Sequence, residues 1–243
     1  MGMTFFHKFR RKIMENLFLH YMHERVRREE EDAQPEHGPV ITLSREYGCF
    51  GSEVGKMLAT KINAQALGKE KEEWFFVSHQ VLHDAAEALE TKPHEISHIF
   101  GAQEKSMFGD IVSLFSKDKY LSDIQIKRAI AQIVRSYSEQ GHSIIVGRAG
   151  CVIAKHIKRS IHVRLIAPYC WRVNVIKSRF NLTPNEAMAL VKETDKRRES
   201  FMDFFRGNKP DSELFDLILN RATLSTQEIV DQIYTLAQSR GLL

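Results

Sequence analysis

The segment Ser44-Arg45-Glu46-Tyr47-Gly48-Cys49-Phe50-Gly51-Ser52 separates an apolar run from a helical pattern. Glycines there accept positive φ and let backbone N–H groups approach an anion, and the following helix adds the positive end of its dipole. The segment reads two ways: as a phosphate cradle, or as a tight strand-to-helix turn whose glycines serve geometry alone. Gly55-Lys56 imitates the end of a G-x-x-x-x-G-K-[ST] phosphate loop, but Phe50 stands at the first glycine and Met57 replaces the hydroxyl residue. Lys56 is therefore read as a solvated helix lysine. Further cations cluster at Gly147-Arg148, directly after the apolar Ile144–Val146, at Arg172 and Arg179, and at Asp195-Lys196-Arg197-Arg198. Arginine suits phosphoryl transfer, because its planar fork binds phosphate oxygens bidentately and stays charged. The structural alternatives are a solvated helix face for Arg172 and Arg179 and an ordinary i,i+3 pair for Asp195 and Arg198.

Other reactive residue types carry less. His79 and His83 share a helix face at a spacing that can bind metal, but no third ligand is evident, so no metal site is expected. Cys49, Cys151 and Cys170 lie far apart without a C-x-x-C. They suit a reduced cytoplasmic interior and argue against a disulfide framework or zinc cluster. Cys49 near a helix N-terminus has no visible partner base and reads as structural.

These candidates need elements to hold them. Short β-rich runs (Val40–Ser44, Trp74–Val77, Ser143–Val146, Ile161–Ala167, Phe215–Leu219) alternate with helical patterns. The helices are expected over Ser52–Ile62, His79–Leu89, about Ser122–Gly141, Cys151–Ile157, Pro168–Phe180, Pro184–Phe205 and Ser225–Gln238, with Pro93–Lys119 irregularly helical. That alternation predicts an α/β fold, a doubly wound parallel sheet covered on both faces in three layers. Ligands then bind at the carboxyl ends of the strands, which favours a functional Arg148.

Residues 1–38 differ: Phe5, Phe6, Phe9, Ile13, Leu17 and Tyr21 repeat at helical spacing opposite a basic face, before a Pro/Gly breaker. This predicts an amphipathic helix and linker ahead of a domain over 39–243. The helix has three readings: packing on its own domain, a homodimer contact, or lying on a membrane surface. Of 243 residues, 43% are hydrophobic and 27% charged, a soluble balance. No apolar run approaches the ~20 residues of a membrane span. The 35 basic and 31 acidic residues leave +4, too little to imply nucleic-acid binding.

At Ile41-Thr42-Leu43-Ser44-Arg45-Glu46-Tyr47-Gly48 the chain resembles the cytidylate kinase-like family, a branch of the P-loop nucleoside monophosphate kinases whose members open with I-S-R-E-Y-G-S-G-G. The likeness extends over about Val40 to Ala237. It implies a P-loop kinase core, ATP with Mg²⁺ as donor, and CMP or dCMP as acceptor. It implies a phosphate loop of Ser44, Gly48, Gly51 and Ser52, and acceptor contacts from Ser78, Arg148, Asp195 and Arg197. An acceptor region is implied at about 78–120 and a lid at about 170–210. Arg45, Arg172 and Arg198 are the expected phosphate-facing set, with Arg179 and Arg197 as reserves for the latter two. Magnesium is expected on phosphates and water, with help from Glu46 or Glu53. Gly51 aligns with the lysine of a true phosphate loop and Glu53 with its Ser or Thr. The family often lacks that lysine while keeping the arginine matched by Arg45. Departures from the family are Cys49-Phe50 for Ser-Gly, Ala149 for the Asp of Gly-Arg-Asp, and His83 for an Arg. The reading from another class is a nucleotide- or anion-binding module without turnover, with the N-terminal helix docking a partner.

Overall fold

A computed structural model describes residues 37–66, 72–78, 123–207 and 209–243. The expected N-terminal helix, His79, His83 and the 93–119 segment lie outside the described residues.

The apolar run beginning at Val40 forms the central strand, β1 (Val40–Arg45), buried on both faces until its last residue. Beside it lie β3 (Ser143–Val146) and β4 (Ser160–Ile166). Beyond these sit β2 (Phe75–Val77) and β5 (Leu217–Asn220), giving the all-parallel order β2-β3-β1-β4-β5. Leu43 is in register with both Val146 and Val163, so the turns leaving β1 and β3 emerge side by side.

Alternation sorts the strands' side chains between two cores. Ile41, Leu43, Ile144, Val146, Val163 and Leu165 meet the apolar stripes of α1 (Gly51–Ala66) and α7 (Thr226–Ser239), among them Val54, Leu58, Ile229 and Ile233. Val40, Val77 and Ile145 on the other face meet Ile126, Ile130 and Val134 of α2 (Asp123–Gln140), Ile153 of α3 (Gly150–Ile153), and Phe201 of α5 (Pro184–Arg206). The connections after β1 and β3 thus leave to opposite faces, the switch point at which open α/β sheets bind ligands. The sheet covered on both faces is the expected architecture. No helix among the described residues is long and apolar enough to cross a membrane.

α4 (Tyr169–Phe180) turns at Asn181, in the left-handed conformation, into α5. Thr183 and Glu186 close a reciprocal capping box on α5 behind Pro184. A short α6 (Asp211–Leu214) precedes β5 and is absent from the sequence expectation. The last strand begins at Leu217 rather than Phe215, because Phe215 still caps α6, its N–H donating to Asp211 O at 3.2 Å; the Asp216 carboxylate accepts the His162 N–H at 2.7 Å.

His162 on β4 is 2% exposed and neutral. Ser160 Oγ donates to Ile157 O at 2.6 Å, so it accepts from His162 Nε2, and Thr42 Oγ1 then donates to Nδ1 at 2.7 Å. Burial first, with Lys155 and Arg240 adding to it against Asp216, lowers the imidazole from 6.5 to about 4. Between those two pH values the unfolded chain takes up a proton that the folded one refuses, so stability falls with acidification by about 3 kcal/mol. Urea denaturation of the unsubstituted protein should show this slope between pH 6.5 and about 4. His162→Gln should flatten that slope; an unchanged slope refutes the assignment.

Candidate functional site

Two adjoining cavities open at the carboxyl ends of β1 and β3. The larger, about 350 Å³, is lined by Ser44, Arg45, Glu46, the Gly147–Ala149 turn, Arg164, and a face of α5 running from Asp195 to Met202. The smaller, about 200 Å³, is the groove of the β1–α1 loop, lined by loop residues from Arg45 to Glu53 together with Lys56, Arg179 and Arg198. Arg45, Glu46 and Arg198 line both.

Arg45 leaves the end of β1 and passes between two glycines. A Cβ at Gly51 would lie 3.2 Å from Arg45 Cγ and Cδ, and one at Gly147 would lie 2.0 Å from Nη1. The space that a lysine at position 51 would need therefore holds the stem of Arg45. Gly147, Arg148 and Ala149 have successive φ of 77°, 55° and 54°. Left-handed backbone costs a non-glycine residue about 1–2 kcal/mol. The turn is held by Gly147 N–H on Leu43 O and Gly150 N–H on Gly147 O, each 2.9 Å. It places Arg148, only 5% exposed, in the wall of the larger cavity.

Beneath the loop lies Arg172, in the first turn of α4 and 7% exposed. Its Nε donates to Ala167 O at 3.0 Å and lies 3.3 Å from Glu46 Oε2. Its Nη1 donates to Tyr47 O at 3.1 Å and to Asp195 Oδ2. Asp195 Oδ1 accepts the Tyr47 N–H at 2.7 Å, so the residue is gripped through both its N–H and its carbonyl. Glu46 Oε2 also accepts the Ala167 N–H at 2.9 Å. Gly48, with φ 93°, lies flat on this helix, where a Cβ would stand 3.1 Å from that of Arg172. Arg172 thus faces carbonyls and carboxylates below the loop and lines neither cavity.

Arg179 stands in the groove, 4.2 Å from the Phe50 ring centre and 2.7 Å from Glu53 Oε1. Phe50 takes φ 48° and packs on a small cluster around Val173, Ile176 and Val191. Arg198 lies 5.3 Å from the ring centre of Tyr47, whose buried phenol is raised in pKa by desolvation against the opposing pull of Arg198. Asp195 therefore pairs with Arg172 and the loop rather than with its helix neighbour Arg198. Arg197 pairs with Glu193 on the outer side of α5 and lines neither cavity. Ser44 lines the larger cavity and donates to Cys151 Sγ at 3.5 Å, while Ser52 lines the groove. Ser78, buried at the end of β2, lines neither.

The sequence reading missed Arg164, which enters the larger cavity from β4 and is paired with Asp211 of α6. Its signal was the alternation Ile161, Val163, Leu165 against His162 and Arg164, since a strand packed on both faces has no place for a cation unless a cavity meets it. Cys49 is fully buried, its thiol pushed up to about 12 by burial and then by Glu46, which removes it as a nucleophile. Cys170 is exposed.

A parallel sheet wrapped by helices, with a glycine-bearing loop at the carboxyl end of its central strand, defines a P-loop-kinase type of α/β fold. The family model for the cytidylate kinase-like family matches residues 40–223, and the chain belongs to that family. Membership points to nucleotide-dependent phosphoryl transfer. No curated protein matches the chain. Among solved structures it is similar to an uncharacterized protein from Eubacterium ventriosum, at TM-score 0.57 and 18% identity over 83% of this chain and 98% of that one. It is also similar to shikimate kinase from Acinetobacter baumannii in complex with shikimate (TM-score 0.46, 14% identity, 86% of this chain and 97% of that one). The shikimate kinase from Bacteroides thetaiotaomicron stands at TM-score 0.45 and 13% identity, over 82% and 98%.

Asp195→Ala should cost about 1–3 kcal/mol in urea denaturation, since it strips the Tyr47 N–H and part of Arg172 of their acceptor. Arg172→Ala should cost more, because it releases Tyr47, Ala167, Glu46 and Asp195 together. Equal or negligible losses refute the clamp.

Proposed function

We propose that the chain transfers the γ-phosphoryl group of Mg-ATP to a nucleoside monophosphate, with CMP or dCMP as the acceptor. The observation that carries this is the shared wall: Arg45 and Arg198 line both the loop groove and the larger cavity. A group passing from one to the other would cross between two guanidinium-bearing side chains. Phosphoryl transfer asks chiefly for such positioning and charge stabilisation.

The groove suits a polyphosphate. It carries Arg45, Lys56, Arg179 and Arg198 at the N-terminal end of α1, while its Glu53 is paired to Arg179. Bound Mg-ATP supplies the phosphoryl group and the metal's charge; Ser52 and Glu53 are the groove side chains that would reach metal-bound water. Arg45 takes the part of the absent loop lysine, and Arg179 takes the phosphate-facing part expected of Arg172. Arg172 and Asp195 act as positioning residues through the Tyr47 peptide. The acceptor occupies the larger cavity, whose 350 Å³ falls at the small end of the ~300–1,000 Å³ typical of small-molecule sites. Arg148, fixed by its left-handed turn, binds it there, with Arg164 and Lys196 as further cations. Ser78 reaches it only if the base extends toward β2.

One observation favours the second reading, a nucleotide- or anion-binding module without turnover. The Phe50 ring lines the groove under Arg179, and the groove's 200 Å³ is below the usual size. Thermal shift with Mg-ATP, CMP, dCMP and UMP separately, together with coupled ADP release, decides between them. Shifts with both donor and acceptor plus ADP release support the kinase; a shift with one nucleotide and no turnover supports the module.

Two variants sharpen the test. Arg148→Ala should weaken acceptor binding about tenfold or more, as expected for a charged contact, with a smaller effect on Mg-ATP. Equal losses refute its assignment. Phe50→Gly suits the local φ of 48°, and removing the ring should tighten Mg-ATP binding; weaker binding would show that the ring helps to hold the nucleotide.

A further inference from the structure

The amino ends of the strands, away from both cavities, bring together three potential metal ligands. His37 lies just before β1, Glu139 in the last turn of α2, and His156 at the end of a 3-10 turn (Ala154–His156) before β4. One ligand atom from each lies within 4.8 Å of the others. A parallel sheet puts all strand starts on one edge, so the cluster is about 20 Å from the loop groove along the six residues of β1.

The chemistry of the cluster is set by a neighbouring carbonyl. His156 Nδ1 lies 3.0 Å from Ile153 O, which can only accept, so Nδ1 carries a hydrogen and Nε2 is the ring atom left to bind a metal. That Nε2 faces Glu139 Oε1 at 3.4 Å. A cation held between these two atoms, a metal ion or a proton on Nε2, accounts for their approach. A backbone carbonyl on the far ring nitrogen is also the arrangement that orients histidines bound to metal. Four-coordinate zinc, with ligands at about 2.0–2.2 Å, sets its ligand atoms about 3.3–3.5 Å apart.

The frame is closely packed at Glu139 and the two glycines beside it, while the His156 side chain is 36% exposed. The Glu139 side chain is only 14% exposed. Gly38 and Gly141, next to His37 and close after Glu139, meet backbone to backbone: a Cβ at Gly38 would lie 2.6 Å from Gly141 Cα. The His37 ring stands edge-on to that of His156 with centres 6.0 Å apart. Two glycines are thus what let the segment entering β1 approach the end of α2.

We propose that His37, Glu139 and His156 bind one divalent transition ion of the zinc class, with water completing a four-coordinate shell. Two imidazoles and one carboxylate select such an ion over magnesium. The site is structural: it joins the entry of β1 to α2 and to the turn before β4, and it does not depend on the phosphoryl-transfer reading.

The test uses the full-length chain freed of metal by a chelator. Co²⁺ should bind at one equivalent with the visible ligand-field band of a four-coordinate site, and Zn²⁺ should displace it and raise the melting temperature, while Mg²⁺ does neither. His37→Gln, Glu139→Gln and His156→Gln, compared below each variant's melting temperature, should each weaken Zn²⁺ by more than the ~10-fold that loss of an outer-shell partner already costs. Sub-stoichiometric binding, or variants that bind Zn²⁺ as tightly as the unsubstituted chain, overturns the proposal and leaves a proton-bridged His156–Glu139 ion pair only.

Discussion

The loop that faces both cavities keeps its shape because a guanidinium is buried under it. An arginine cannot shed its charge to escape a dry environment, so its acceptors are obligatory. Arg172 finds them in the carbonyls of Ala167 and Tyr47 and in the carboxylates of Glu46 and Asp195. The four acceptors come from three stretches: the residue after β4, the loop with Glu46 and Tyr47, and α5. The loop conformation is therefore a property of three elements at once. The glycine at 48 lets the backbone lie against the helix that carries the arginine.

Above this layer the arrangement is one of cations on shared walls. Arg45 can occupy its position only because positions 51 and 147 lack side chains. The same two glycines belong to the two turns that the switch point places together, one leading to α1 and the other to α3. Two successive non-glycine residues with positive φ, Arg148 and Ala149, cost backbone energy, and such strain survives where surrounding structure over-determines it. Here the overlying hydrogen bonds come from β1 and the start of α3. Strand order, turn geometry and the placement of Arg45 and Arg148 are thus one problem with one solution.

The layered sheet was legible from the chain because its cause is local: buried parallel strands are short apolar runs, and the helices between them show a 3.6-residue period. The loop between β1 and α1 and the turn after β3 were legible for the same reason, since a strand's carboxyl end can be located from its apolar run. The division of labour among the arginines was not. Arg172 and Arg179 look alike on one helix, and only the fold decides that Arg172 is sealed beneath Tyr47 while Arg179 reaches the groove. Asp195 looked like a partner for Arg198, three residues away, yet its carboxylate is drawn to a charge carried by another helix. Arg164 was hidden by an expectation of uniformly buried strands, although its alternation with Ile161, Val163 and Leu165 announced a polar face. The short α6, a single turn, has no period to read.

Of the chain's three thiols, Cys49 and Cys151 are sealed in the interior and Cys170 stands in solvent, two residues before Arg172 in the opening turn of α4. The protein therefore carries a natural handle for a dye or spin probe at the very helix that braces the β1–α1 loop. Reporting from this helix needs no engineered cysteine and no removal of native ones.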